Sequence, residues 1–387
     1  MSLRPIARST WRLRVPRRHY AIPPKSPPFP TTPTCPNPTC TCSAMPELPP
    51  SLPIDYKTAL NGTMTPDREQ VLVCTGQEDW SSNIENENSG HNLAADLKKW
   101  IKTCHPSPHV SVVNSSFPST VPTREEMQNL PPYLYPSFPY SRQEGIQNAS
   151  AYLFPSFKYI PFIPREPPPR EPSYYQKSFD SIFELAKGYL VHHPVHDNLP
   201  LPPPEIMEMV RQRNKKTKAL MYGVQDVKDV FVLICGHGGR DARCGVIGPV
   251  LKQDFERLLE KQDIRIRDGP VVVKGPREDE RKVLREEEEV GQPGDTARVG
   301  LVSHIGGHKW AGNVIVYIPP GMRMADGKEN PLAGCGIWYG RVEPKHVEGI
   351  VKETVLGGRV IEDLFRGGIK QGGEIEGLTQ GGKILRL

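Results

Sequence analysis

The chain has 387 residues, 37% hydrophobic and 24% charged, with 43 prolines that double the usual proline usage, and it exceeds the roughly 250 to 300 residues at which one core stops growing. More than one folded unit and a good length of linker are therefore expected. The net charge of +5 sits at one end: residues 1–46 hold seven basic and no acidic residues, leaving 42 basic against 44 acidic in the rest. The body lacks the basic density of a nucleic-acid binder. Its longest apolar runs, such as Val230 to Ile234, fall far short of the roughly 20 residues a membrane helix needs, so no membrane span is expected.

Residues 1–54 read as a leader followed by a disordered proline-rich segment. Arg4, Arg8, Arg12, Arg14, Arg17 and Arg18, without acids and interspersed with Ile, Leu, Trp and Val, form the pattern of a mitochondrial presequence, and the continuous apolar core of a secretory signal is missing. The expected location is mitochondrial, matrix or intermembrane space, reached through the import machinery. From Pro23 to Pro53 prolines recur too often for helix or sheet. Cys35, Cys40 and Cys42 in that stretch read as incidental, and eight cysteines in a chain of this length do not make a disulfide framework.

Residues 55–192 are expected to form a small α/β domain. Val71 to Cys74 is a buried strand ending at Thr75-Gly76. A helix capped by Asn92 follows to about Cys104, with Leu93, Leu97, Trp100 and Ile101 on one face. A strand at His109 to Val113, one strand around Tyr152 to Ile160 and a helix from Ser178 to Val191 complete it, and no internal repeat stands out in the sequence. Residues 193–225 are a proline-broken linker, and His192, His193 and His196 around its start lack a convincing fourth ligand.

Residues 226–360 carry the second expected domain. The apolar run Asp229 to Ile234 demands burial on both faces. Then come a loop from Cys235 to Cys244, a helix from about Val246 to Lys261, a charged insertion over 263–296, a strand Arg298 to Ser303, a loop to Gly312, strands Asn313 to Ile318 and Ile337 to Val342, and a helix Pro344 to Leu356 with Gly357 as its C-cap. This is the element order of a thioredoxin-like fold. Residues 361–387 read as a mobile glycine-rich tail.

Two cysteines nine positions apart, Cys235 and Cys244, and two histidines at i and i+4, His304 and His308, follow equivalent strands of this domain. Two thiolates and two imidazoles suit a soft or borderline metal. Gly236, Gly238, Gly239, Gly245, Gly306 and Gly307 would let the backbone approach an inorganic core. Zinc knuckles place their cysteines closer, so the wide loop better fits a [2Fe-2S] cluster with two Cys on one iron and two His on the other, a mixed ligation known in Rieske centres. A zinc ion, and a purely structural role for the four, stay open. His237 is expected to lie behind the ligands and donate to sulfur, with Trp310, Trp338 and Tyr339 in the core.

The stretches Val232 to Cys244, His304 to Asn313 and Gly336 to Val342 resemble the sucrase/ferredoxin-like family of thioredoxin-like ferredoxins. The resemblance implies a C-terminal thioredoxin-like ferredoxin domain and a [2Fe-2S] cluster held by Cys235, Cys244, His304 and His308. It implies electron transfer or redox sensing, an unidentified redox partner protein and dependence on the iron-sulfur assembly machinery. The alternatives are a zinc-stabilised interaction module and a thiol-disulfide oxidoreductase, although no Cys-x-x-Cys is present. Histidine at two ligand positions argues against the low potential of all-cysteine relatives.

Overall fold

A computed structural model of the chain describes residues 27–65, 67–104, 110–120, 148–164, 223–273 and 291–372, with 182, 185–190, 221 and parts of 374–387. After a short strand β1 (Thr31–Thr32) the chain builds two units of the same element order. The first holds β2 (Glu69–Cys74), α1 (Leu93–Cys104), β3 (Val110–Ser115), β4 (Asn148–Phe154), β5 (Lys158–Pro164) and a wide-turned helix at Ala186–Leu190, followed by β6 (Gln225–Asp226). The second holds β7 (Val230–Cys235), α2 (Ala242–Glu260), a side strand β8 (Arg265–Ile266), β9 (Thr296–Val302), β10 (Val314–Ile318), β11 (Cys335–Tyr339) and α3 (Pro344–Gly349), which runs on in wider turns to Leu356. β12 (Val360–Ile361), β13 (Phe365–Lys370), β14 (Glu374–Ile375), β15 (Leu378–Thr379) and β16 (Lys383–Leu385) close the chain.

Two parallel strands need a long crossover, and α1 and α2 supply it. Each unit then adds two antiparallel strands, giving the order β3-β2-β4-β5 in the first and β9-β7-β10-β11 in the second. Antiparallel contact of β3 with β9 joins both into one twelve-stranded mixed sheet among the described residues. The protein is thus mixed α/β with a large mixed sheet and few helices. The junction pairs Ser115 with Val302, the last residues of β3 and β9, so the C-terminal ends of β2, β3, β7 and β9 all meet at the middle of the sheet.

β7 reads Val-Phe-Val-Leu-Ile-Cys and is buried throughout. Its odd positions, with Ile247, Leu251 and Phe255 of α2 and Val347, Ile350 and Val351 of α3, form one core. Leu93 and Leu97 of α1, with Val71, Val73, Leu185 and Leu190, form the matching core of the first unit. The other faces of the two units share a third, aromatic core in which Phe154 stacks on Tyr317 at 4.1 Å and Phe117 meets Phe231 at 5.3 Å. The two expected α/β domains therefore share one sheet and one core.

Several expectations need correction. The single strand expected at Tyr152 to Ile160 is a hairpin, β4 and β5, turned at Pro155 to Phe157. Residues 27–65 are an ordered strap, not a loose segment. Phe29 is buried against Phe365 at 5.7 Å and β1 pairs in parallel with β12. The backbone N–H groups of Thr39 and Cys40 donate to Glu348, Arg243 donates to the Pro53 carbonyl at 2.6 Å, and Leu60 and Met64 are buried. Proline removes strap donors, so side chains of the second unit supply most of the bonds. The glycine-rich end is not a free tail either, because β13 pairs with β11 and β16 pairs with β13. In the expected charged insertion, 263–273 and 291–296 are described and Arg265–Ile266 form β8, while Arg277 to Glu289 lies outside the described residues. The leader, His192, His193, His196 and most of the linker also lie outside them, and the helix at Ser178 to Val191 is described only at 182 and 185–190.

Candidate functional site: a cysteine pair and a histidine pair at the sheet junction

Cys235 ends β7, its N–H donating to the Asn313 carbonyl at 3.0 Å. Asp241 caps α2 by accepting from the Arg243 N–H at 3.1 Å, and the helix begins at Ala242, four residues earlier than expected. Cys244 therefore sits in the first helical turn, where the positive end of the helix favours a thiolate. Both cysteines are buried. Hydrogen bonds from Cys244 and His304 hold the Cys235 thiol well below its ordinary range despite burial. Cys244 is pushed up, by its hydrogen bond to Cys235 first and by burial second.

The glycines here serve packing. A Cβ on Gly245 would stand 2.6 Å from the Gly238 Cα, so the cysteine loop and α2 touch backbone to backbone. Gly306 and Gly307, by contrast, have φ of +83° and +75° and turn the chain back between the histidines. His304 is half-buried, His308 is exposed, and their rings lie 5.3 Å apart. The structure thus brings all four expected residues to the ends of β7 and β9, with both cysteines buried, His304 half-buried against Cys235 and His308 exposed. No three His, Cys, Asp or Glu side chains among the described residues converge as a site for a single metal ion.

His237 makes contacts through both its ring and its backbone. Its Nδ1 accepts the His304 backbone N–H at 3.0 Å, which leaves Nε2–H to donate to the Trp80 and Ser81 carbonyls at 3.1 and 2.9 Å. The ring links the first unit to the histidine loop, and the backbone N–H of His237 donates to the Cys235 sulfur. The loop after β2 continues this contact: Asp79 accepts the Gly239 N–H at 3.0 Å and Arg240 donates to the Ser82 carbonyl at 3.0 Å. The first unit therefore covers the cysteine side of the site.

Sequence reasoning missed Arg366. Its Nη1 donates to the Gly306 carbonyl at 3.0 Å and to Asn313 Oδ1 at 2.7 Å, its Nε to Thr63 Oγ1 and its Nη2 to the Thr63 carbonyl, both at 3.1 Å. It lies 5.1 Å over the Trp310 ring. An arginine between Phe365 and Gly367 carries no pattern that marks it as buried. Trp338 packs on Tyr317 and the Tyr339 hydroxyl meets Thr354 at 2.6 Å, both in the cores as expected. Burial pushes the Cys335 thiol up to about 11, and it pushes the Cys74 thiol up as well.

The chain matches the sucrase/ferredoxin-like family over residues 60–367, a stretch that contains both units and all four paired residues. It belongs to that family. Three relatives, each named altered inheritance of mitochondria protein 32, show the range of similarity. The one from Debaryomyces hansenii is 28% identical over 344 residues, which is 85% of this chain and 92% of the relative. That from Meyerozyma guilliermondii is 31% identical over 42% of this chain and 45% of its own length. That from Clavispora lusitaniae reaches 41% over 35% of this chain and 34% of its own. No solved structure matches the chain. The names tie these relatives to mitochondria, and no helix among the described residues is long and apolar enough to cross a membrane.

Proposed function

We propose that the protein is a mitochondrial [2Fe-2S] protein that transfers electrons or senses redox state, with Cys235 and Cys244 holding one iron and His304 and His308 the other. The observation that carries this reading is the pairing itself: two thiols in contact, one already favouring the thiolate, beside two adjacent imidazoles. Two separate pairs suit two irons better than one zinc, because zinc needs four donors around a single point. The order β9-β7-β10-β11, with α2 and α3 against one face, is that of a thioredoxin-like unit and supports the ferredoxin reading.

A bound [2Fe-2S] cluster would supply one-electron chemistry. The chain's own residues do the rest. Cys235 and Cys244 bind from the dry side, under the cover of the loop after β2, and exclude water from the sulfurs. His237 fixes the His304 backbone. His308, the exposed member of the set, marks the edge where a redox partner protein can approach.

Purified protein is expected to show visible absorption and a paramagnetic signal on reduction. Cys235→Ser and Cys244→Ser are expected to remove both, while Cys74→Ser and Cys335→Ser keep them. Equal bleaching of the two groups, or of neither, would reject the ligand set. One observation favours a second reading: touching cysteines with a lowered thiol are also what a dithiol-disulfide couple requires. A colourless chain in which those two cysteines form a reversible disulfide would establish that alternative.

The mitochondrial part of the proposal rests on the leader and the relatives' names. Changing Arg4, Arg8, Arg12 and Arg14 to Glu is expected to leave a tagged protein in the cytosol, scored by fractionation. Unchanged import of that variant would remove the targeting claim.

A further inference from the structure

Three arginines are buried among the described residues, and two have acids beside them. Arg243, 5% exposed, pairs with Asp241 at 2.8 Å, and Arg298, 2% exposed, pairs with Asp229 at 3.2 Å. Arg366 is the most deeply buried, at 1% exposed, and no carboxylate among the described residues pairs with it. All its hydrogen bonds go to neutral oxygens of Thr63, Gly306 and Asn313. An isolated charge in a low-dielectric interior is strongly penalised, so a buried cation kept in this state calls for a nearby anion.

The anion is supplied by the site next to it. Arg366 grips Gly306, midway between His304 and His308, and Asn313, whose own carbonyl accepts from the Cys235 N–H. With two ferric ions, two sulfides, two thiolates and two neutral imidazoles the centre is formally neutral. One electron from a one-electron donor gives it a single negative charge, with no bond broken and no proton moved.

We propose that Arg366 is the counter-cation of the reduced centre, its otherwise unpaired guanidinium stabilising the negative charge that one electron brings to the Cys235, Cys244, His304 and His308 site. The inference rests on the cluster reading above. Arg366 acts by position and charge and contributes no ligand. Trp310 screens it from water on one side and the strap, through Thr63, on another. Its field is therefore only weakly damped.

The test is a potentiometric titration of the full chain, followed by visible circular dichroism. Arg366→Gln is expected to lower the potential, shifting the reduced-to-oxidised ratio at a fixed poise about tenfold, equivalent to about 59 mV for one electron. Arg366→Lys, which keeps the charge, is expected to stay near wild type. Asn313→Asp keeps Arg366 and gives it the missing carboxylate at the position of the present 2.7 Å contact, and it is expected to lower the potential by a similar factor. Unshifted potentials in Arg366→Gln and Asn313→Asp would overturn the inference while leaving the cluster in place. If Arg366→Gln cannot retain a cluster, an unshifted Asn313→Asp overturns it alone. A colourless, iron-free wild-type chain would instead overturn the cluster reading, and this inference with it.

Discussion

A chain beginning at residue 27 is expected to melt like the full-length protein, and one beginning at residue 66 is expected to lose its second unit's cooperative unfolding altogether. The strap is the reason. Phe29, Leu60 and Met64 are buried in the cores, and truncating a buried Phe, Leu or Met costs about 2–5 kcal/mol each. Three such losses approach the roughly 5–15 kcal/mol of total stability of an ordinary domain. The strap also takes a hydrogen bond from Arg243, beside Cys244, and binds Arg366 through Thr63. Its removal should therefore loosen both halves of the site. Phe29→Ala alone is expected to cost about 3–5 kcal/mol. Thermal unfolding and limited proteolysis of the two truncations check this. Equal melting of both would mean that the strap only rests on the surface. Under the targeting proposed above, any processing cut is bounded by the same contacts, since one beyond Phe29 would open the core beside Phe365.

The potential of the proposed cluster is expected to lie well above the plant-type value. Neutral imidazole in place of thiolate lowers the negative charge around iron, and Rieske centres lie at about −150 to +300 mV against about −400 mV for plant-type ferredoxins. The effect should therefore amount to hundreds of millivolts. His304→Cys and His308→Cys are expected to give lower potentials wherever a cluster is retained. A wild-type potential near roughly −400 mV would contradict histidine ligation.

Local chemistry made much of the second unit legible. The unbroken apolar run of β7 has no other use than a strand buried on both faces, and Asn92 does cap α1, accepting the Ala95 N–H at 2.8 Å. What could not be read were features whose cause lies far along the chain. Phe29 looks like one apolar residue among prolines, and its partner Phe365 is hundreds of positions away. Phe365 to Lys370 reads as a loose glycine run because the pressure for small residues comes from the strap: a Cβ on Gly367 would stand 2.6 Å from the Met64 Cβ. The start of α2 was missed for a different reason. Asp241 is a good cap, but glycines and cysteines around it hide the helical period, and Cys244 was therefore placed in a loop. The paired residues themselves were found because their types and spacings carry the chemistry without any long-range information.

The central meeting of the strand ends has a consequence for how the site behaves on dilution. Cys74 and Cys235 occupy the same position in their units, each ending a first strand, opposite Ser115 and Val302 in the parallel neighbour. Only the second unit carries the rest of the set, and the first lends its matching loop, through Asp79, Trp80 and Ser81, as cover. Two separate subunits arranged this way would expose their sulfurs whenever they dissociated. Joined in one chain, the cover is held at an effective concentration set by the tether and not by the protein's abundance, so a scarce copy is shielded as well as an abundant one.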